Sequence, residues 1–490
     1  MRETTHSRRR GGARFGLAAA VGAGLFALTA CDGLLDVELP GEMTEDDLFQ
    51  AESATMLVNS AVGDFENCWS MFAILTAGVE DTWVRTTGYW GGWAEYRSTR
   101  AGTGTCGATD FGTGWYGDLQ SARWVAEQAY EHIEEWSPDE IVGDRNELLA
   151  TSATYAGLVY QLAGEVFCEW AANVGPLMSP EETLQEGELW FDRALQAVQA
   201  GGDFSYYTTD SMEQLAYLGR ARVRMALGDY AGAAADAEQV QPGFAAYVTR
   251  DNTVQPRWNH TYRGLNVMLL GSIANEGPDG TWEWEGQLVS PGYRALALDP
   301  EGRHVVGEIG EGDEPEDRTR QPLPDGWQWD PRVPVEFAGE FAADGVTDMW
   351  AQTKYGGLGA DQIMGKWEEA ILIRAEVAAR NGNEQGAIDL INELRDYHGL
   401  PNVSAAALGD GVYHEVTGDA LLDFIYEERR REFFLEGRHY ADKVRFDGWF
   451  PRMTGSNHKA VAYGDVHCIM MPESEYENNP NVPEGYIGPY

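Results

Sequence analysis

The stretch GDYAGAA at residues 228–234 recurs in altered form as GNEQGAI at residues 382–388, and these two turns decide the fold. Helical periodicity on both sides of each stretch predicts helices over residues 212–227, 230–240, 367–379 and 384–397. A glycine ends the first helix at little conformational cost, and the small residue that follows lets the second helix pack closely on the first. Each stretch therefore predicts a helical hairpin.

Both turns resemble the turn of a tetratricopeptide repeat (TPR), a unit of two antiparallel helices. Another hairpin is predicted from helices over residues 146–172 and 184–200, and a further helix over residues 117–135. The two matching turns are too far apart for a tandem array, so another region lies between them. The expected fold class is mainly α: a scaffold of TPR-like hairpins with an irregular, loop-rich insert that contains short β-strands.

The insert is expected at residues 241–363, where glycine, proline and tryptophan are frequent. Short β-like runs occur there at residues 287–290 and 304–306. Residues 68–117 are similarly rich in glycine and aromatic residues, which predicts a long loop. The acidic stretch 308–317 lacks the alternating carboxylate spacing of a calcium site, so we expect a solvated loop there and no metal.

The N-terminus has the pattern of an exported lipoprotein. Arginines at positions 8–10 and 14 and an apolar run over residues 15–28 precede Leu28-Thr29-Ala30-Cys31. This order is typical of a secretory signal peptide, and the run is too short to span a hydrocarbon core of ~30 Å. Because the last four residues resemble a lipobox, we expect removal of residues 1–30, lipid on Cys31, and a tether over residues 31–45.

The charge balance restricts the partners. The chain has 79 acidic and 35 basic residues and a formal net charge of −44. Such a chain repels nucleic acid and anionic membrane surfaces, so we expect no nucleic-acid partner and membrane contact through lipid. The sequence contains no GxSxG, HExxH or P-loop motif, so we predict no catalytic residue and no cofactor.

Four cysteines besides Cys31 allow three disulfide pairings in an oxidising, exported setting. Cys68 and Cys106 fall in one loop-rich region, and we favour a disulfide between them. Cys168 lies in an apolar helical pattern, where a buried free thiol is the simpler expectation. Cys468 is the fourth.

A helix is also predicted over residues 419–436, with apolar residues on one side and a run of charges, EERRRE, at residues 427–432. A run of this kind is ordinarily a solvated helix face with ion pairs between residues three or four apart. The alternative is a set of buried, mutually paired charges.

Four segments, taken in order, resemble the SusD/RagB family of outer-membrane nutrient-binding lipoproteins. They are the lipobox with Cys31 to Asp36, the helical run 147–177 that ends in GPL, residues 371–401, and residues 428–442 with EGRHY at 436–440. The closing stretch, with MPESE at 471–475 and NPN at 479–481, is also similar to the family. The order and spacing of these segments carry the resemblance.

The resemblance implies a SusD-like fold and a nutrient-binding role without a cofactor. It implies a TonB-dependent outer-membrane transporter (SusC-like) as partner, and a lipid-anchored location in the outer membrane facing the cell exterior. It also implies that Glu428, Arg429, Glu432 and Arg438 form a structural ion-pair cluster rather than a catalytic site. Beyond the leader and tether, we divide the chain into residues 46–240, the insert 241–363, and residues 364–490.

Aromatic residues in the two irregular regions are the candidate ligand-binding residues. Tryptophan in loops rich in glycine and proline is often exposed, and an exposed ring offers a stacking face for a sugar or a peptide side chain. The alternative is that these rings anchor long loops to the scaffold. The candidates are Trp83, Tyr89, Trp90, Trp93, Tyr96, Trp282, Trp284, Trp327, Trp329 and Trp350.

The sequence therefore favours a surface protein that binds a glycan or oligosaccharide, with peptides as the alternative ligand. Two other classes stay open. One is an extracellular glycoside hydrolase that uses carboxylates in the aromatic loops, and the other is a TPR-type assembly scaffold for envelope proteins.

Overall fold

The computed structural model describes residues 49–79, 82–86, 116–273, 281–284, 287–291, 293–310, 312, 314–410, 417–446 and 468–489. Its α-helices of six residues or more are α1 (Ala54–Val79), α2 (Tyr116–Glu135), α3 (Arg145–Val166), α4 (Pro180–Gly201), α5 (Met212–Leu227), α6 (Tyr230–Ala237), α7 (Trp367–Arg380), α8 (Glu384–His398), α9 (Ala420–Glu432), α10 (His439–Arg445) and α11 (Glu473–Asn478). Its strands are β1 (Trp83–Arg85), β2 (Ala245–Val248), β3 (Gly271–Ile273), β4 (Thr281–Trp284), β5 (Gln287–Pro291), β6 (Leu296–Leu298), β7 (His304–Val306), β8 (Gln328–Trp329), β9 (Val335–Phe341), β10 (Asp348–Gln352) and β11 (Gln362–Lys366).

The mainly α fold class is confirmed, and each predicted hairpin is present. Helices α3 and α4, α5 and α6, and α7 and α8 pack as consecutive pairs. Helix α7 also packs on α6, so the two hairpins with matching turns are neighbours in space although the insert separates them in the chain. Within the described residues, no helix combines the length and the apolar composition needed to cross a membrane.

The two matching turns have the same local structure. In both, the glycine that ends the first helix has a positive φ, +80° and +74°. Asp229 and Asn383 then cap the second helices, accepting hydrogen bonds from the backbone N–H of Gly232 and Gly386 at 3.0 and 3.1 Å. A Cβ at either of these last two glycines would lie 2.1–2.2 Å from the capping side chain. The cap and the glycine three residues later therefore depend on each other.

The described strands other than β1 lie between residues 245 and 366, as predicted for the insert, and pair antiparallel. The pairs are β1–β3, β2–β11, β4–β5 and β9–β10, and β7–β6–β8 form a three-stranded sheet. Strands β2 and β11 are the first and last of the insert, and Ala245 lies opposite Lys366. This pairing closes the insert and holds α6 beside α7.

Two segments differ from the sequence prediction. Residues 68–79 are helical, as the second half of α1, and not part of a loop. The helix predicted to Ala172 ends at Val166, because Phe167 leaves it to bridge with Ile469 in the C-terminal segment. Backbone pairing with a segment distant in the sequence has replaced the last helical turns.

Candidate functional site

The charged run on α9 lies in the protein interior. Each of the six residues from Glu427 to Glu432 is at most 2% exposed, so the reading of a solvated face is wrong. Side chains from the insert and from α7, α8 and α10 supply the partners of these charges. Burial of so many charges is tolerable only when each is paired and hydrogen-bonded.

Glu428 joins three parts of the chain. Its Oε2 accepts a hydrogen bond from Arg332 Nη1 at 2.7 Å, and its Oε1 accepts one from Arg395 Nη2 at 2.5 Å. His304 Nε2 lies 2.5 Å from the same Oε1. Arg332 and His304 come from the insert and Arg395 from α8, so one carboxylate ties both to α9.

Arg429 and Arg438 extend the network towards the N-terminal helices. Arg429 Nη2 lies 2.8 Å from Asp442 Oδ1 on α10. Arg438 binds both carboxylate oxygens of Glu165 on α3, at 2.7 and 3.0 Å, and its Nε donates to Glu369 on α7 at 3.1 Å. A bidentate pair of this kind fixes orientation as well as distance, so these arginines hold α3, α7, α9 and α10 in one arrangement.

Glu432 ends α9 beside a buried lysine. Lys366 Nζ donates to Glu432 Oε1 at 2.7 Å and to Glu436 Oε1 at 2.9 Å. The lysine ammonium holds the pKa of Glu432 below its usual range despite burial, and the pKa of Glu428 lies well below its usual range because of Arg332 and Arg395. A general acid must hold a proton near neutral pH, so neither Glu428 nor Glu432 can serve as one.

The network predicts a loss of stability on acidification. Burial and the Arg431 charge lower the pKa of His304 to about 4, against 6.5 for a free histidine. The folded chain therefore binds fewer protons than the unfolded chain between these pH values, and its free energy of unfolding falls as the pH falls. We expect His304 to contribute a loss of about 2 kcal/mol between pH 7 and pH 5.

Urea unfolding of the His304→Gln variant at both pH values tests this prediction. The difference between pH 7 and pH 5 should be smaller in the variant than in the parent chain, whatever the absolute stability of the variant. The matched control is Gln239→Ala, an exposed residue without a titratable side chain, which should keep the parental pH dependence. Equal pH dependence in His304→Gln and the parent would contradict the assignment.

Two of the predicted ligand-binding tryptophans are core residues. Trp83 is 3% exposed, donates from Nε1 to the Ile74 carbonyl at 2.8 Å, and lies against Gly78 and Gly271, where a Cβ would collide with its ring. Trp350 is 1% exposed, and its ring lies 5.4 Å from the Arg294 guanidinium. For these two residues the prediction of an exposed stacking ring is wrong.

Trp327 and Trp329 are both half-buried, but their surroundings differ. The Arg320 guanidinium lies 4.6 Å from the Trp329 ring centroid and covers one face of the ring, and Gly307 lies against the ring edge. Trp327 lies in the turn before β8, where its backbone N–H donates to the Pro324 carbonyl at 3.0 Å. Of the candidates whose side chains are described, Trp327 is therefore the best placed to stack on a ligand.

The remaining aromatic candidates keep the status of predictions. Trp282 and Trp284 lie on β4, in a hairpin with β5. Tyr89, Trp90, Trp93 and Tyr96 lie outside the described residues, as does Cys31.

Several exposed aromatic rings were not predicted, because they lie on regular elements. Tyr397 near the end of α8 is 52% exposed, Tyr247 on β2 is 40% exposed, and Trp124 on α2 is 38% exposed. Burial, followed by the charges of Glu368 and nearby aspartates, raises the pKa of Tyr247. The sequence feature that could have identified these exposed rings is an aromatic residue on the polar face of an amphipathic helix or strand.

One disulfide joins Cys168 to Cys468, so the expectation of a free thiol at Cys168 is wrong. The Cys168 N–H donates to the Ile469 carbonyl at 2.9 Å, which brings the C-terminal segment to the end of α3. Cys68 is also disulfide-bonded. Its pairing with Cys106, which lies outside the described residues, stays a prediction.

One group of side chains among the described residues has the composition and proximity of a metal site. It consists of Glu368, His398 and Glu432. No metal was expected from the sequence, because these three residues are too far apart in the chain to form a recognisable motif.

The helical hairpins and the insert together form the fold of SusD-like proteins. Both sequence comparisons and structural comparisons with known proteins support this assignment. A sequence model described as the SusD family matches residues 368–483, which include α7–α10 and most of the ion-pair network. The SusD-like protein P38 of Formosa agariphila is 35% identical over 83 residues. That match covers 17% of this chain and 16% of the relative.

Solved structures cover nearly the whole chain. NanU of Bacteroides fragilis has a TM-score of 0.58 at 13% identity, over 90% of this chain and 97% of its own. A SusD-like carbohydrate binding protein from Bacteroides vulgatus has a TM-score of 0.55 at 13% identity, over 89% and 98%. Surface glycan-binding protein A from Bacteroides uniformis has a TM-score of 0.52 at 15% identity, over 88% and 98%. The resemblance to the SusD/RagB family is thus confirmed.

Proposed function

We propose that this chain is a lipid-anchored protein of the outer membrane, exposed at the cell surface, that binds a glycan or oligosaccharide and delivers it to a TonB-dependent transporter. The observation that carries the proposal is the SusD-like fold over nearly the whole described chain, combined with the family match at residues 368–483. Two of the similar structures have names that include carbohydrate or glycan binding.

The physical basis is a rigid frame that presents aromatic loops. Glu428 on α9 joins α8 and the insert, and Arg438, just after α9, joins α3 and α7, so the loops that leave these elements start from fixed positions. A preformed surface loses less conformational entropy when it binds a ligand. Reversible binding then concentrates the nutrient near the transporter without any chemical step.

Lipid on Cys31 would supply the membrane contact, since the acidic surface favours none. Residues 31–45 would serve as the tether that lets the binding domain move relative to the transporter. Peptides are the alternative ligand, because a flat aromatic ring stacks on a peptide side chain as well as on a sugar.

Two other functions make different predictions. A glycoside hydrolase needs one carboxyl group that can donate a proton, and Glu428 and Glu432 are excluded from that role by their cationic partners. An assembly scaffold would show no affinity for small ligands and would co-purify with envelope proteins other than a transporter.

The hypothesis that exposed aromatic rings bind the ligand is tested in two steps. A glycan that binds is first identified with a panel of soluble polysaccharides, and the affinity of tryptophan variants for that glycan is then measured. Trp327→Ala should weaken binding by about tenfold or more, because loss of a stacking ring removes a central contact. Trp90→Ala should act in the same direction. The matched control is Trp124→Ala, an exposed tryptophan on α2, which should bind like the parent chain. Normal binding by both Trp327→Ala and Trp90→Ala would contradict the hypothesis.

A further inference from the structure

Three side chains with metal-binding atoms meet where three helices end. Glu368 is the second residue of α7, His398 is the last of α8, and Glu432 is the last of α9. One potential ligand atom from each lies within 4.8 Å of the other two. The TPR-like hairpin and the charged helix are thus joined at one point by two carboxylates and an imidazole.

Two of these atoms lie next to each other in a charged contact that lacks the geometry of a hydrogen bond. Glu432 is 2% exposed, and its Oε2 has no hydrogen-bond partner among the described residues. The same is true of His398 Nε2, which lies 3.1 Å from that oxygen. A buried carboxylate oxygen without a well-formed hydrogen bond costs free energy, and a cation held between this oxygen and the imidazole would remove that cost.

We infer that Glu368, His398 and Glu432 form a binding site for a transition-metal cation such as Zn²⁺. The inference does not rest on the proposed function, because it uses only the geometry of these side chains. Bonds of 2.0–2.2 Å at tetrahedral angles place neighbouring ligand atoms about 3.4 Å apart. The separation between His398 Nε2 and Glu432 Oε2, 3.1 Å, is close to this. Glu368 lies within 4.8 Å of both atoms and would have to move closer to supply the third ligand.

The donor set selects the class of cation. Imidazole nitrogen with carboxylate oxygen suits Zn²⁺ and its neighbours in the first transition row. Ca²⁺ prefers six to eight oxygen ligands and gains little from an imidazole. Three protein ligands leave one tetrahedral position for water or for an oxygen atom of a bound molecule.

The surroundings have opposing effects on a cation. The C-terminal ends of α8 and α9 carry partial negative charge, which favours a cation beside their last residues. Lys366 holds Glu432 Oε1 at 2.7 Å and so orients the carboxylate with Oε2 towards the site, as outer hydrogen-bond partners of metal ligands do. The charges of Lys366 and of Arg332, whose Nη1 lies 3.7 Å from Oε2, reduce the affinity. Glu368 and His398 are half-buried, so the site lies near the protein surface although its ligand atoms are covered.

Isothermal titration calorimetry of the purified full chain with Zn²⁺, after treatment with a chelator, tests the inference. We expect one equivalent to bind, and a large excess of Ca²⁺ not to displace it. His398→Gln and Glu368→Gln should each weaken this binding by about tenfold or more, because each removes one of three ligands. With Co²⁺ in place of Zn²⁺, the visible spectrum should show tetrahedral coordination in the parent and lose it in His398→Gln.

The matched control is Glu393→Gln, an exposed carboxylate on α8, which should bind Zn²⁺ like the parent. Thermal melting in the presence of chelator shows that each variant is folded. Absence of stoichiometric Zn²⁺ binding to the parent, or equal binding by His398→Gln and the parent, would overturn the inference. Either result would mean that His398 and Glu432 form only a direct ion pair.

Discussion

Replacement of Glu428 with alanine is expected to lower the free energy of unfolding by about 3–5 kcal/mol, because the buried Arg395 guanidinium then loses its carboxylate partner, and Arg332 loses one of its partners and keeps Asp330. Arg332 and Arg395 both donate to this carboxylate, and their side chains are at most 4% exposed. Water cannot take the place of the lost partner without opening the contact between the insert, α8 and α9.

Two variants of Glu428 separate the effect of its charge on stability from the effect of its side-chain volume. Glu428→Gln keeps the shape of the side chain but removes its charge, so it should lose most of the same stability. Glu393→Ala, at an exposed site on α8, should change it by no more than about 0.5 kcal/mol. Urea unfolding at pH 7 followed by circular dichroism measures all three. A loss below about 1 kcal/mol for Glu428→Ala would show that the network contributes little to stability.

Removal of the Cys168–Cys468 disulfide should have the next largest effect. The cysteines are 300 residues apart in the sequence, so the cross-link constrains a very long loop in the unfolded chain. Loss of a cross-link of this kind ordinarily costs about 2–5 kcal/mol. We expect the double variant Cys168→Ser/Cys468→Ser to melt at a clearly lower temperature than the parent.

Both cysteines are half-buried, so serine is tolerated at each position and the variant isolates the cross-link. Chemical reduction of the parent chain does not isolate this cross-link, because Cys68 is also disulfide-bonded and its disulfide would be reduced too. If the double variant and the parent melt at the same temperature, the backbone pairing of Phe167 with Ile469 is sufficient to hold the C-terminal segment in place without the disulfide.

The parts of the fold that depend on local chemistry were predictable from the sequence. The predicted helix over residues 212–227 coincides with α5, and the helix over 367–379 ends one residue short of α7. The reason is local: a glycine with positive φ ends the first helix of each hairpin, and Asp229 or Asn383 caps the second. Neither feature needs a distant partner.

Features that depend on distant partners were not predictable. Helix α1 is buried on most of its surface, so it has no polar stripe and no visible helical period. Trp83 was expected to be exposed because it precedes a glycine-rich loop, but Gly271, far along the chain, leaves the space that its ring fills. The disulfide between Cys168 and Cys468 follows from the return of the C-terminal segment to α3.

The candidate site was predictable in part for the same reason. The charge run on α9 was visible, and the family resemblance implied a structural role, but the partners Arg332, Lys366 and Arg395 come from segments that the sequence gives no reason to bring together. The exposure of the Tyr397 ring was not predicted, because this residue lies on a regular helix. Exposure and pairing are properties of the assembled fold and not of the local sequence.

We propose that this chain, which has a SusD-like fold, binds a glycan and does not cleave it. The most direct measurement incubates the purified chain with a panel of soluble polysaccharides and oligosaccharides and records, in the same samples, the bound fraction and the release of reducing ends. We expect saturable binding to at least one glycan, with no reducing ends above the protein-free control. Release of reducing ends, or binding to no member of the panel, would contradict it.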